Sequence, residues 1–250
     1  MVIYMRKKIL IGIIIVVYLF AISLLFGIIS LNIGYFDKDD VDVSLIDIPN
    51  NQLINKNKEI IDTYRNIYNN DDVVGEIKII NTNYKKAIMQ STNNDFYLNH
   101  LENKTSSYMG SIYLDFRVDI DEDDKLLIYG HNSANIDMPF KILENYYDKK
   151  YYNSHKYIQI TTRNKTRNYE IYSVFVEVND FGYMKTEFKS NEDWFNHINN
   201  FRDKSMYDTG VSLEKNDNIL ILQTCSTHDE YDKYNKKYLL IVAKEIYNKK

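Results

Sequence analysis

The apolar positions of this 250-residue chain fall into three regimes along its length. From Ile9 to Leu31 they run without a charge, ILIGIIIVVYLFAISLLFGIISL, and a helix rising about 1.5 Å per residue would cover roughly 30 Å there, the thickness of a bilayer core. The run predicts one transmembrane helix over 9–31. Residues 32–56 are polar and acidic, contain Pro49 and hold no sustained period, which reads as a spacer. Beyond it, NKEIIDTYRNIY from Asn57 to Tyr68 repeats apolar residues at three and four and predicts an amphipathic helix opening a domain over 57–250. Short β-like runs follow, separated by polar turns: VGEIKII (74–80), KAIMQ (86–90), GSIYLDF (110–116), LLIYGH (126–131), YIQITT (157–162), YEIYSVFVEV (169–178), ILILQT (219–224) and YLLIVAKEI (238–246). Eight runs with turn-length gaps predict a mainly β domain built as a closed or nearly closed barrel. Two helical inserts interrupt them. MPFKILENYY occupies 138–147, and SNEDWFNHINNFRDKS, 190–205, opens on Ser190 as an N-cap with Glu192 and Asp193 in the first turn.

Charge sets the direction of the anchor. Arg6, Lys7 and Lys8 precede the apolar run and Asp37 to Asp40 follow closely, so residues 1–8 are expected in the cytoplasm and everything after about Tyr35 outside. A cleaved signal peptide is the alternative, but the run exceeds the usual h-region and no small-x-small site closes it. The formal net charge of −4, with lysines scattered among acids, excludes a basic stripe and argues against nucleic acid as a partner. Twenty-three tyrosines suit pleated, half-buried strands. The acidic stretch DIDEDDK, 119–125, lacks the glycine and distal glutamate of an EF-hand loop and reads as a solvated turn. A single cysteine excludes an internal disulfide and any multi-thiolate metal centre, so neither metal nor cofactor is expected.

A lone cysteine is by default a small core residue, so Cys225 must be justified by its neighbours. It ends an apolar strand where the loop STHDEYDKYN begins, and His131 holds the matching place after LLIYG. Gly130 before it permits close approach of another chain. A thiol with pKa about 8.5 is only slightly ionised at neutral pH, so a nucleophilic cysteine needs an imidazole or a cation beside it. His131 can supply that. His228, in C-x-x-H spacing, is the rival, although a loop position flanked by Asp229 and Glu230 lacks rigid support. His100 and His155 fall in polar turns and His197 on the insert helix.

These motifs, NNDFYLNH (93–100), GSIYLDFR (110–117), LLIYGHN (126–132), YDTGV (207–211) and LILQTC (220–225), stand in the order found in class B sortases, which the chain resembles over roughly residues 75–246. The resemblance implies an eight-stranded sortase-type β-barrel with an N-terminal helix and a helix between strands 6 and 7. It implies an extracellular, membrane-anchored cysteine transpeptidase. Cys225 would attack a threonine carbonyl in the sorting signal of a secreted protein to form a thioester, and an amine of a peptidoglycan precursor would resolve it. His131 would serve as acid and base. The family's third residue is an arginine on the strand after the cysteine, placed to stabilise the oxyanion. This chain departs there: no arginine follows Arg202, Tyr238 stands where the arginine is usual, and Lys237 is adjacent, with Lys236 and Lys233 in the preceding loop. Lys237 and Tyr238 are the candidates, and strand alternation forbids both facing the site without a bulge. Asn94, Leu98, Tyr129, Tyr183 and Met184 match the family's substrate groove; Gln223 and Thr224 are assigned to the same groove, Gln223 in place of the small serine or threonine common there and Thr224 as support for the nucleophile's backbone. Two other readings stay open: a sortase-like cysteine peptidase that mainly hydrolyses, and an anchored peptide-binding domain with impaired catalysis.

Overall fold

The computed structural model describes residues 50–246. The domain opens on helix α1 (Asn50–Tyr68), whose Ile61 is fully buried and whose Arg65 guanidinium donates to the Val73 carbonyl at 2.9 and 3.1 Å, fastening the helix to the first strand. This helix starts earlier than expected, so residues 50–56 of the expected spacer are helical; Leu53 and Ile54, seven residues before Ile60 and Ile61, carry the same apolar face back two turns. The candidate anchor at 9–31 and the rest of the spacer lie outside the described residues. Among the described residues no helix is long and apolar enough to cross a membrane.

Eight strands follow: β1 (Val73–Ile79), β2 (Lys85–Met89), β3 (Tyr113–Leu114), β4 (Lys125–Tyr129), β5 (Tyr157–Thr161), β6 (Thr166–Glu177), β7 (Ile219–Cys225) and β8 (Tyr238–Glu245). They close into a barrel in the order β1-β2-β3-β4-β7-β8-β6-β5. Neighbours pair antiparallel except β2 with β3 and β4 with β7, which run parallel. The parallel β4/β7 pair is covered on both faces, which is why LLIY and ILIL read as unbroken apolar runs. Leu126, Ile128, Leu220, Leu222, Leu239 and Ile241 join one buried cluster with Phe140, Leu143 and Tyr146. Leu127, Ile219, Ile221, Leu240 and Val242 join the other with Ile61 and the insert helix's Ile198 and Phe201. Each fully buried side chain of this kind contributes roughly 1.5–3 kcal/mol.

The two inserts differ in outcome. The stretch 138–147 forms a 3-10 helix, Lys141–Tyr147, followed by the short helix α2 (Lys149–Ser154). The second is the helix expected between β6 and β7, α3 (Asn191–Asp203), and the Ser190 side chain accepts from the Asp193 amide as its cap. A 3-10 turn, Phe181–Met184, precedes it. In the acidic turn, Asp119 accepts from the amides of Asp121 and Glu122 while Asp123 accepts from the amide of Asp119, so the carboxylates tie their own loop.

Candidate active site

Parallel pairing of β4 and β7 brings two strand ends to one rim of the barrel. Tyr129 is the partner of Gln223, and two residues beyond that pair stand His131 on one chain segment and Cys225 on the other. Three hydrogen bonds continue the seam past the strands. Gly130 donates to the Gln223 carbonyl at 3.2 Å, Thr224 Oγ1 to the Gly130 carbonyl at 2.8 Å, and Asn132 Nδ2 to the Cys225 carbonyl at 2.9 Å. The rim is therefore rigid where the chemistry needs it. Gly130 is required: a Cβ there would stand 2.6 Å from the Phe140 ring.

Cys225 and His131 open on one groove of about 500 Å³, walled by Asn94, Leu98, Tyr129, Tyr183, Met184 and Gln223. Six of the seven residues assigned to the family groove thus line it. Thr224 does not: strand alternation turns its side chain inward, where it is buried and holds the Gly130 carbonyl, so it supports the backbone under Cys225. The groove also takes Asp95 and Tyr113, which lie inside the NNDFYLNH and GSIYLDFR motifs without having been singled out, and Phe181, whose loop carries no periodic signal.

His131 is held from the loop opposite. Its Nε2 lies 2.8 Å from the Leu98 carbonyl; a carbonyl only accepts, so Nε2 carries the hydrogen and Nδ1 is left as the acceptor. His228 is elsewhere, its Nδ1 accepting from the Glu230 amide and its ring against Tyr147 at 4.8 Å, outside the groove lining. That geometry removes it as a partner for the sulfur.

Cys225 is exposed to the groove, yet the surrounding atoms desolvate the sulfur and push the thiol pKa up from its ordinary value. Burial is the largest cause of the raised pKa of Tyr113, Tyr183 and Tyr238; a thiolate at Cys225 comes next for Tyr238, while for Tyr113 it adds to the charges of Asp95 and Asp115 and for Tyr183 to those of Tyr238 and Glu177. Three phenols therefore surround the sulfur in their protonated, donating form. Tyr238 is the cross-strand partner of Cys225, and it lines the groove with Lys236. Lys237 points away, its ammonium paired with Asp232. Lys236, two residues from Tyr238, was findable as the cation of this wall, since positions two apart share a face by alternation.

A carboxylate anchors the wall beneath. Asp115 accepts from Tyr129 Oη at 2.8 Å, Asn94 Nδ2 at 3.1 Å and Arg117 Nη2 at 2.8 Å. Burial opposes its ionisation, but these donors and the Arg117 backbone amide outweigh that and hold its pKa at about 2.

A thiol and an imidazole at the rim where adjacent parallel strands end, facing one groove on a closed eight-stranded barrel, are the groups a cysteine acyl-transfer enzyme requires. Residues 77–246 match the sortase domain family. The chain belongs to that family and is a class B sortase, a cysteine transpeptidase. Its similarity is to sortase B of Listeria monocytogenes, 33% identical over 181 residues covering 72% of this chain and 73% of that one, and to sortase B of Staphylococcus aureus, 28% identical over 178 residues covering 71% of each. Among solved structures, a mutant form of Clostridium perfringens sortase B superimposes with a TM-score of 0.68 at 31% identity, covering 78% of this chain and 90% of that one. A substrate complex of Staphylococcus aureus sortase B gives 0.67 at 26% identity, covering 79% and 91%.

Proposed function

We propose that this sortase cleaves a C-terminal sorting signal of secreted proteins and joins the new carboxyl end to an amine of a peptidoglycan precursor. Cys225 loses its proton to His131 Nδ1, and its sulfur attacks the threonine carbonyl of the signal. The C–N bond breaks as the thioester C–S bond forms, and the proton held by His131 leaves with the departing amine. The incoming amine then gives a proton to His131 as it displaces the sulfur. Tyr238 takes the oxyanion role of the family arginine, its raised pKa keeping the phenol an O–H donor, with Lys236 as the cation on the same wall. Lys237, held by Asp232, is the weaker candidate of the two named from the sequence. Residues 9–31 would hold the enzyme to the membrane with residues 1–8 inside and the catalytic domain outside, supported by the uncharged run and its flanking charges.

The observation that carries this reading is the shared groove of Cys225 and His131. Cys225→Ala and His131→Ala should each abolish cleavage of sorting-signal peptides while circular dichroism stays unchanged; full cleavage by either variant would remove the assignment. A second reading, a peptidase passing its acyl group mainly to water, is favoured by one observation, the tyrosine at the arginine's place. Product analysis with and without an added oligoglycine amine separates the two.

A further inference from the structure

The groove wall formed by Tyr183 and Met184 belongs to no strand: it hangs between the end of β6 and the start of α3 as a single 3-10 turn. Three consecutive carbonyls of this segment are each taken by a cation. Lys125 Nζ donates to the Tyr183 carbonyl at 2.7 Å and to the Lys185 carbonyl at 2.6 Å, and Arg117 Nη2 donates to the Met184 carbonyl between them at 3.1 Å. We propose that Lys125 and Arg117 are positioning residues that clamp this wall and thereby set the enzyme's affinity for the sorting-signal peptide.

Several features mark the clamp as built. Lys125 is the first residue of β4, only 5% exposed, at a place where its strand neighbours Leu126 and Leu127 are apolar. An isolated ammonium is costly there unless every hydrogen has an acceptor. The third acceptor is His197 Nε2 on α3, 2.9 Å away. Burial, with Lys125 next, brings the pKa of His197 down to about 3, so its ring is neutral and offers a lone pair. Burial likewise draws Lys125 down to about 7. Should its ammonium lose a proton, the amine still has two hydrogens for the two carbonyls, and His197 can supply an N–H to the nitrogen by changing tautomer. Arg117 in turn is fixed by Asp115, which also holds Tyr129 and Asn94, so one carboxylate couples the strand wall, the loop wall and the hanging wall. None of these contacts involves Cys225 or His131. The clamp accordingly acts on how the groove receives its peptide, without touching the thiol-imidazole pair.

The inference rests on reading this groove as the sorting-signal site. In Lys125→Met and Arg117→Gln, KM for a sorting-signal peptide should rise about tenfold with kcat within about twofold. Alkylation of Cys225 by iodoacetamide should keep its wild-type rate, and amide hydrogen exchange over 181–185 should quicken. Folded variants with wild-type KM and wild-type exchange would overturn the proposal, as would a loss of alkylation rate matching the loss of peptide turnover. If Lys125→Met does not fold, Arg117→Gln, at a half-exposed position that leaves Asp115 its other donors, decides alone. If the wild-type chain cleaves no such peptide, the proposed function fails, while the exchange measurement still tests the clamp itself.

Discussion

The Leu98 carbonyl can accept a hydrogen and cannot give one, so the imidazole beside it presents Nδ1 as its basic nitrogen. Tyr238, proposed for the role of the family guanidinium, is the phenol paired across the strand with Cys225. Tyr238→Phe removes only the hydroxyl; we expect kcat for peptide cleavage to fall about a hundredfold with KM little changed, as when a single oxyanion donor is lost. An unchanged kcat would transfer the role to Lys236. Asp115 makes a different prediction. Its carboxyl is held at about 2 against an ordinary 3.8, so the folded state gains stability above about pH 4 and loses it as pH falls toward 2. The shift corresponds to about 2 kcal/mol. Urea unfolding of Asp115→Asn should show a deficit near that size at pH 7 that narrows by pH 3; a deficit independent of pH would place the effect in packing instead.

Elements do what single residues cannot: they bring a loop carbonyl to a ring nitrogen. Gly110 has φ +59°, and a Cβ there would lie 2.6 Å from the Leu98 carbonyl oxygen and 3.0 Å from His131 Cδ2. The glycine is what lets the 93–110 loop press against the histidine. Gly110→Ala should therefore displace the Leu98 carbonyl, costing about 1–3 kcal/mol in stability and more than about tenfold in kcat. Thermal melting and peptide cleavage read both, and a variant with wild-type kcat would show that the Leu98 contact is dispensable. Helix α3 and its Ser190 cap were legible because capping chemistry and amphipathic period are local. The 3-10 turn at Phe181–Met184 carries no such period, and its place is decided by carbonyl contacts to residues nearly sixty or more positions away.

Across the whole molecule, one buried ion pair ties the last strand to the barrel. Arg167 on β6 meets Glu245 on β8 at 2.8 Å, and its Nη1 donates to the Ile120 and Asp123 carbonyls, while Asn218 Nδ2 donates to the same Glu245 oxygen at 3.0 Å. The two side chains are 3% and 11% exposed, so removing Glu245 takes the countercharge from a buried guanidinium that keeps its carbonyl contacts. Glu245→Ala should cost about 3–5 kcal/mol. The urea midpoint measures it, and KM of the folded enzyme should stay at the wild-type value because neither residue lines the groove; a midpoint near wild type would mean the pair is relieved by water.

Local order was sufficient for much of this protein. Eight short β-patterned runs, a capped insert helix and the order of the GHN and L-x-T-C motifs are properties of neighbouring residues, and they were enough for a barrel of sortase type with Cys225 and His131 at strand ends. Strand adjacency is not local. That β4 and β7 are parallel neighbours, and so that the two reactive residues share a rim, follows from closing the sheet over both core clusters. The same closure turned Thr224 inward, set Tyr238 opposite Cys225, put Lys236 in the groove and left Lys237 to Asp232. Side chains alternate at every residue, so which member of a pair faces the site depends on where pairing starts, and pairing is a contact between distant parts of the chain.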